Sequence, residues 1–276
     1  MTLKPRTAGD VFAALGRAIC YLFLFLSAQG VIALIYSLTA QMLAWRNPGL
    51  LDPEKLVLAC SDQISLLSGA AVLVFFLFFF LLRRKNPLKQ TGFLRTHGRF
   101  VFVALGVTPI VYLAVSLAMS LLPPQWLESY NEAISTFDST GILAAVATVV
   151  MAPLVEEITF RGLILSRLRR ALPAWLSVIL SALLFAAIHV YPVWMAYAFI
   201  LGLVFGFLAL RARSIWPSLV AHMVFNGIGQ SVAILNHYGM DSVFAVYGLA
   251  AAGAIICLIT LIFILTHPLH RADSDT

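Results

Sequence analysis

Three short groups of residues have the types and spacing of reactive side chains. The first is Glu156-Glu157-Ile158-Thr159-Phe160-Arg161, just after Pro153. The second is Phe185-Ala186-Ala187-Ile188-His189, and the third is His222-Met223-Val224-Phe225-Asn226. All three interrupt apolar segments. A charge at mid-bilayer costs about 2.5–3.5 kcal/mol on the insertion scale, so such a group must face a partner or a cavity. A carboxylate with an imidazole can hold and deprotonate a water molecule. An imidazole with a carboxamide can stabilise a developing oxyanion. That inventory suits hydrolysis of a peptide bond by activated water.

Each group also has a plainer reading. The two acids and the arginine can form a structural polar knot. A lone histidine in an apolar helix is usually a hydrogen-bonded core residue, and His222 with Asn226 at i and i+4 can be interhelical glue. Taken together they favour chemistry, because the cheapest arrangement of such groups on apolar helices is around one wet cavity. Ser218 lies one turn before His222, but no acid is placed to complete a serine triad. The aspartates lie outside the middle of the spans, which argues against an aspartyl dyad.

Local helix geometry divides the first group. Adjacent residues on an α-helix point about 100° apart, so Glu156 and Glu157 are expected to serve different partners. Glu157 and Arg161, at i and i+4, have the better orientation for an ion pair. The spacing therefore assigns that pair to structure and leaves Glu156 facing the chemistry.

The elements that must position these residues are membrane helices. The 276-residue chain is 61% hydrophobic and 11% charged. A soluble domain is nearer to about 45–50% and about 25%, so solubility and disorder are both excluded. Runs such as Val72–Leu82 are apolar on every face, unlike the alternating strands of a barrel. Hydropathy gives about eight spans in an all-α, polytopic integral membrane bundle. They are Arg17–Trp45, Ser61–Leu82, Phe100–Leu122, Gly141–Arg161 with a polar extension to Arg170, Ala174–Val190, Val193–Leu210, Ser214–Leu235 and Val243–Thr266. Residues 1–276 read as one transmembrane domain, with a motif-bearing core at approximately 141–235. The apolar run after Arg17 is too long for a signal peptide and reads as a retained first helix. The stretch Gln125–Thr140 reads as a polar connector in preference to a lid.

Charge sets the orientation. Lys4, Arg6 and Arg17, the loop with Arg83, Arg84, Lys85, Lys89, Arg95 and Arg99, then Arg167, Arg169 and Arg170, then Arg211 and Arg213, and the tail with His267, His270 and Arg271 all fall on one side. The other loops are neutral or acidic, with Glu128, Glu132, Asp138 and Asp241 among them. The positive-inside rule then gives cytoplasmic N- and C-termini, and the cell membrane is the expected location. It also accounts for the net charge of +6 without nucleic acid. Cys20, Cys60 and Cys257 are far apart and form no metal or disulfide motif.

The ordered set EExxxR, FxxxH and HxxxN resembles the three motifs of the CAAX protease and bacteriocin-processing family, the type II CAAX prenyl endopeptidase group. The resemblance implies an intramembrane endopeptidase of roughly eight helices. It implies that Glu156 acts as general base and that His189 orients or activates the water. His222 and Asn226 would form the oxyanion hole, with Glu157, Arg161 and Phe185 in support. The implied partners are the lipid bilayer and a peptide or protein substrate, with or without a lipid modification. The site would open toward the cytoplasm.

No cofactor is expected. The alternative is zinc held by Glu156, His189 and His222 with water in the fourth position, but the absence of HExxH gives it no direct support. Two further readings are a non-catalytic immunity or scaffold protein on the same fold and a small transporter, although no inverted repeat is evident. Depth is the main geometric problem. Counted at 1.5 Å per residue, Glu156 lies roughly 20 Å from Arg170, His189 roughly 22 Å from Ala174 and His222 about 12 Å from Ser214. Straight helices rising from one surface would not align them.

Overall fold

In a computed structural model the described residues, 7–137 and 140–266, form eleven helices and no strand. They are α1 (Ala8–Arg46), α2 (Pro53–Ala59), α3 (Ser61–Leu82), α4 (Pro87–Gln90), α5 (Gly98–Ser120), α6 (Pro124–Phe137), α7 (Ile142–Leu168), α8 (Ala174–Ala187), α9 (Pro192–Ala212), α10 (Trp216–His237) and α11 (Val243–Thr266). Lys4, Arg6, Asp138, His267, His270 and Arg271, used above for orientation, lie outside the described residues.

Helix starts follow local chemistry. Thr7 and Asp10 cap α1 reciprocally: Asp10 N–H donates to Thr7 Oγ1 at 3.3 Å and Thr7 N–H to Asp10 Oδ2 at 2.9 Å. Pro53 follows an aspartate cap, Asp52, and Pro192 opens α9.

Seven helices are long and apolar enough to cross a membrane, and α8 is a shorter eighth. The expected fifth span, Ala174–Val190, thus ends early at Ala187. At 1.5 Å per residue its 14 residues reach only about 21 Å, short of a hydrocarbon core of about 30 Å. The turn after it, Ile188–Tyr191, falls at membrane depth, where irregular backbone is tolerated only against protein or a wet cavity. His189 sits in this turn.

Gln125–Thr140 departs from expectation more sharply. Residues 124–137 form helix α6 where a polar loop was expected. Pro124 fits the first helical turn, and Leu127, Tyr130 and Ile134 recur at the spacing of one helix face. Hydropathy alone misses it, because the opposite face is polar. Tyr130 packs edge-on to Trp194 and Tyr197 of α9, with ring centroids 6.3 and 6.1 Å apart.

α7 runs through the middle of the bundle. α1 and α3 cover one side, and α8, α9 and α10 cover the other. The main core joins Phe25, Phe76, Phe80, Phe160, Leu163 and Phe185 across α1, α3, α7 and α8. α7 is not a uniform α-helix. It widens to π-helical geometry over Val146–Met151 and again over Glu157–Leu165. Such i→i+5 segments are rare and are found frequently at functional sites.

Candidate active site

Glu157 is the buried centre of the polar residues. It is 0% exposed, and its Oε1 lies 2.9 Å from Arg161 Nη1 and 3.1 Å from His222 Nδ1. Arg161 is held from three further directions. Its Nη2 donates to the Gly202 carbonyl at 3.5 Å, and its guanidinium lies 4.4 Å from the Phe185 ring centroid and 5.3 Å from that of Phe205. A Cβ on Gly202 would run into Ala182, so only glycine lets α9 approach α8 here.

Glu156 differs although it is the next residue. Its side chain is 16% exposed, and its Oε2 faces His222 Nε2 at 3.6 Å. The expectation of separate partners is therefore corrected: His222 lies between the two acids and turns one ring nitrogen to each. The angular argument failed because an imidazole carries nitrogens on two edges of its ring and can bridge carboxylates that point apart.

His189 Nδ1 donates to the Phe185 carbonyl at 2.8 Å, since a carbonyl only accepts. This leaves Nε2 free to accept in the neutral ring. The ring packs against Phe185 at 4.9 Å and Trp194 at 5.4 Å, within electrostatic reach of Glu156 and His222. Among the described residues, His189 makes no direct ion pair with Glu156. The backbone beyond it is tight: Tyr191 N–H donates to His189 O at 2.6 Å, and Val190 has φ +62°. A β-branched residue in that region is strained, and strain of this kind costs of order 1–3 kcal/mol unless surrounding structure holds it.

Asn226 Nδ2 donates one hydrogen to the Thr148 carbonyl at 2.9 Å, in the first widened stretch of α7. A carboxamide has two N–H donors, so one remains. Phe185 forms the common wall. It contacts Arg161, His189 and Phe160, and lies 5.8 Å from His222 by ring centroids.

The depth problem is resolved by the segment after α4. Ile215 N–H donates to the Gly92 carbonyl at 3.0 Å, and Ser214 Oγ donates to the Leu94 carbonyl at 2.7 Å. Gly162 of α7 packs against Thr91, and a Cβ there would collide with the Thr91 carbonyl. Gly162 and Ile215 thus stand on one floor. Glu156 is six residues above Gly162 and His222 seven above Ile215, so the two side chains start from a shared reference level. The last part of α7 continues past this level, so its end was the wrong reference point.

Residues missed by sequence reading form an aromatic cover. Tyr197 lies near Glu156 and packs with Tyr130 and Phe225, while Tyr112 lies 5.0 Å from Phe225 by centroids. The available signal was Tyr197 three residues after Trp194, a polar-tipped aromatic on an apolar helix. Gly162, directly after Arg161, was also missed.

Among the described residues, no group of three or more His, Cys, Asp or Glu side chains is arranged to hold a metal ion. The alternative set of Glu156, His189 and His222 is not assembled: His222 and Glu156 meet, but His189 does not join them as a third ligand.

Residues 138–228 match the family model for the type II CAAX prenyl endopeptidase Rce1-like domain. The match contains all three motifs, and the resemblance drawn from them stands. No curated protein and no solved structure matches the chain.

Proposed function

We propose that this chain, a polytopic membrane protein carrying an Rce1-like CAAX protease domain, is a glutamate-dependent intramembrane endopeptidase. The observation that carries the reading is the unequal placement of adjacent acids. Glu157 is sealed against Arg161, while the more exposed Glu156 lies beside His222 and near His189.

A water between Glu156 and His189 can donate one hydrogen to the carboxylate and one to His189 Nε2. Glu156 takes a proton as the water oxygen bonds to the scissile carbonyl carbon. The carbonyl electrons move onto oxygen, where the remaining Asn226 N–H and His222 Nε2–H stabilise the charge. His222 Nδ1–H is held by Glu157, so donation from Nε2 requires both ring protons. On collapse the C–N bond breaks, Glu156 returns its proton to the departing nitrogen, and the carboxylic acid formed passes its own proton to the amine, so that a carboxylate and an ammonium leave.

The Glu157–Arg161 pair acts through His222 by fixing the ring. The substrate is a peptide at a membrane or on a lipid anchor. The basic end of the bundle faces the cytoplasm. The chemistry is metal-independent.

Quantitative terminal proteomics on native membranes tests this. Wild type and Glu156→Gln are expressed at matched folded levels. New peptide termini are expected with wild type alone, and they persist when divalent metals are chelated. Identical termini in both membranes would remove Glu156 as base and favour a binding role on the same scaffold. Loss on chelation, restored by zinc, would overturn the metal-free mechanism.

A further inference from the structure

On the opposite side of α7 from the acids lies a second polar space, a cavity of about 380 Å³ at the basic end of the bundle. A water's share of liquid volume is about 30 Å³, so the space suits a larger polar group. Its cations are Arg17 from α1, Arg83 and Lys85 after α3, and Arg167 and Arg170 at the end of α7. Gln90 is the only uncharged non-aromatic residue among its lining, and no carboxylate is among the described residues there.

One of these five cations is built into the fold, while the other four are exposed around it. Arg167 is 6% exposed, yet among the described residues it has no acidic partner in an ion pair. Its Nη1 donates to Ser166 Oγ at 2.9 Å and its Nη2 to Gln90 Oε1 at 3.1 Å, and its guanidinium lies 5.7 Å from the Tyr21 ring centroid. A buried guanidinium held by neutral groups is costly without an anion. Burial, then the nearby Arg167 and Arg17, pulls the Arg170 pKa below its ordinary value, which marks the same crowding.

The cavity is continuous with lipid-facing surface. Tyr21, Phe79 and Phe80 form its apolar wall. Next to them at the end of α3, Phe78, Leu81 and Leu82 are 61%, 57% and 67% exposed. An anion entering here would meet guanidiniums with its head and an apolar helix face with whatever follows. Basic pockets between helices at a membrane surface bind anionic headgroups in this way. We propose that the cavity binds the phosphodiester headgroup of an anionic phospholipid, whose acyl chains lie along the end of α3. Bidentate guanidinium contacts are the expected mode.

The test uses the full chain in an uncharged detergent, read by native mass spectrometry and thermal unfolding. The probes are a phosphatidylglycerol, a phosphatidylcholine and inorganic phosphate. Phosphatidylglycerol is expected to give a retained adduct and raise Tm, and the other two to do neither. Arg17→Gln/Arg170→Gln alters two exposed side chains that the fold does not need. At about tenfold per 1.4 kcal/mol, losing two cations worth about 1 kcal/mol each should weaken the adduct roughly 30-fold. Arg95→Gln/Arg211→Gln removes the same charge from the other basic cavity, lined by Arg95, Arg99, Arg211 and Arg213, and should keep the adduct. Equal retention of both lipids, equal loss in both double variants, or full stabilisation by phosphate alone would each overturn the proposal.

Discussion

Glu156 and Glu157 are neighbours in the chain and opposites in the fold. The Glu157 side of α7 is closed: the carboxylate is fully buried, paired with Arg161, and walled by Phe185 and Phe205. The Glu156 side is partly open and reaches His189, the strained turn at Val190 and the Tyr130–Tyr197 cover. His222 touches both sides. The difference separates two uses of a buried acid. One is paired through Oε1 with Arg161 and His222 and ties helices together. The other is left with capacity to accept a proton, as a general base requires.

The comparison is sharpest when each acid loses its charge. Glu156→Gln should lower cleavage by about 10²–10⁴-fold, the usual range for positioned acid–base catalysis, with little change in thermal unfolding. Glu157→Gln leaves the Arg161 charge buried without its partner and should cost about 3–5 kcal/mol of stability. Denaturant or thermal unfolding checks both, and equal stability losses would erase the distinction. Asn226→Ala should slow turnover by about 10²–10³-fold, the effect of losing one oxyanion donor. Thermal unfolding of the same variant reads any stability loss separately, because Asn226 also donates to Thr148 O.

Two smaller effects address the supports. Gly162→Ala forces α7 away from Thr91 and should cost about 1–3 kcal/mol, the range for overpacking. Unaltered unfolding would remove the shared floor from the account. Val190→Gly relieves the positive φ and should stabilise by up to about 1 kcal/mol while loosening His189 and slowing cleavage. A variant that is both more stable and fully active would mean that the strained turn does not position His189.

Much of the site was legible because membrane burial makes polar residues conspicuous. Glu156, Glu157, Arg161, His222 and Asn226 stood out against apolar helices, and α7 and α10 bring them together. Three features were not legible, each for a physical reason. The π-helical stretches of α7 leave no residue signature that a helical wheel, drawn at 3.6 residues per turn, detects. α6 is amphipathic, so a search for uniformly apolar spans passes over it. The floor formed by Thr91–Gly92 joins residues far apart in sequence, Gly162 and Ile215, and depends on contacts that local spacing does not encode. The shared use of His222 was missed for a simpler reason: side-chain directions were compared without the two edges of the ring.

The central claim is that Glu156 carries the chemistry and Glu157 carries the structure. The most direct measurement is single-turnover cleavage of the peptide identified by terminal proteomics, with each rate divided by the fraction of enzyme folded. Wild type, Glu156→Gln and Glu157→Gln would be compared in one detergent. The account predicts that folded Glu156→Gln is slower by about 10²–10⁴-fold, while folded Glu157→Gln loses much less. A folded Glu156→Gln protein cleaving at the wild-type rate would contradict it.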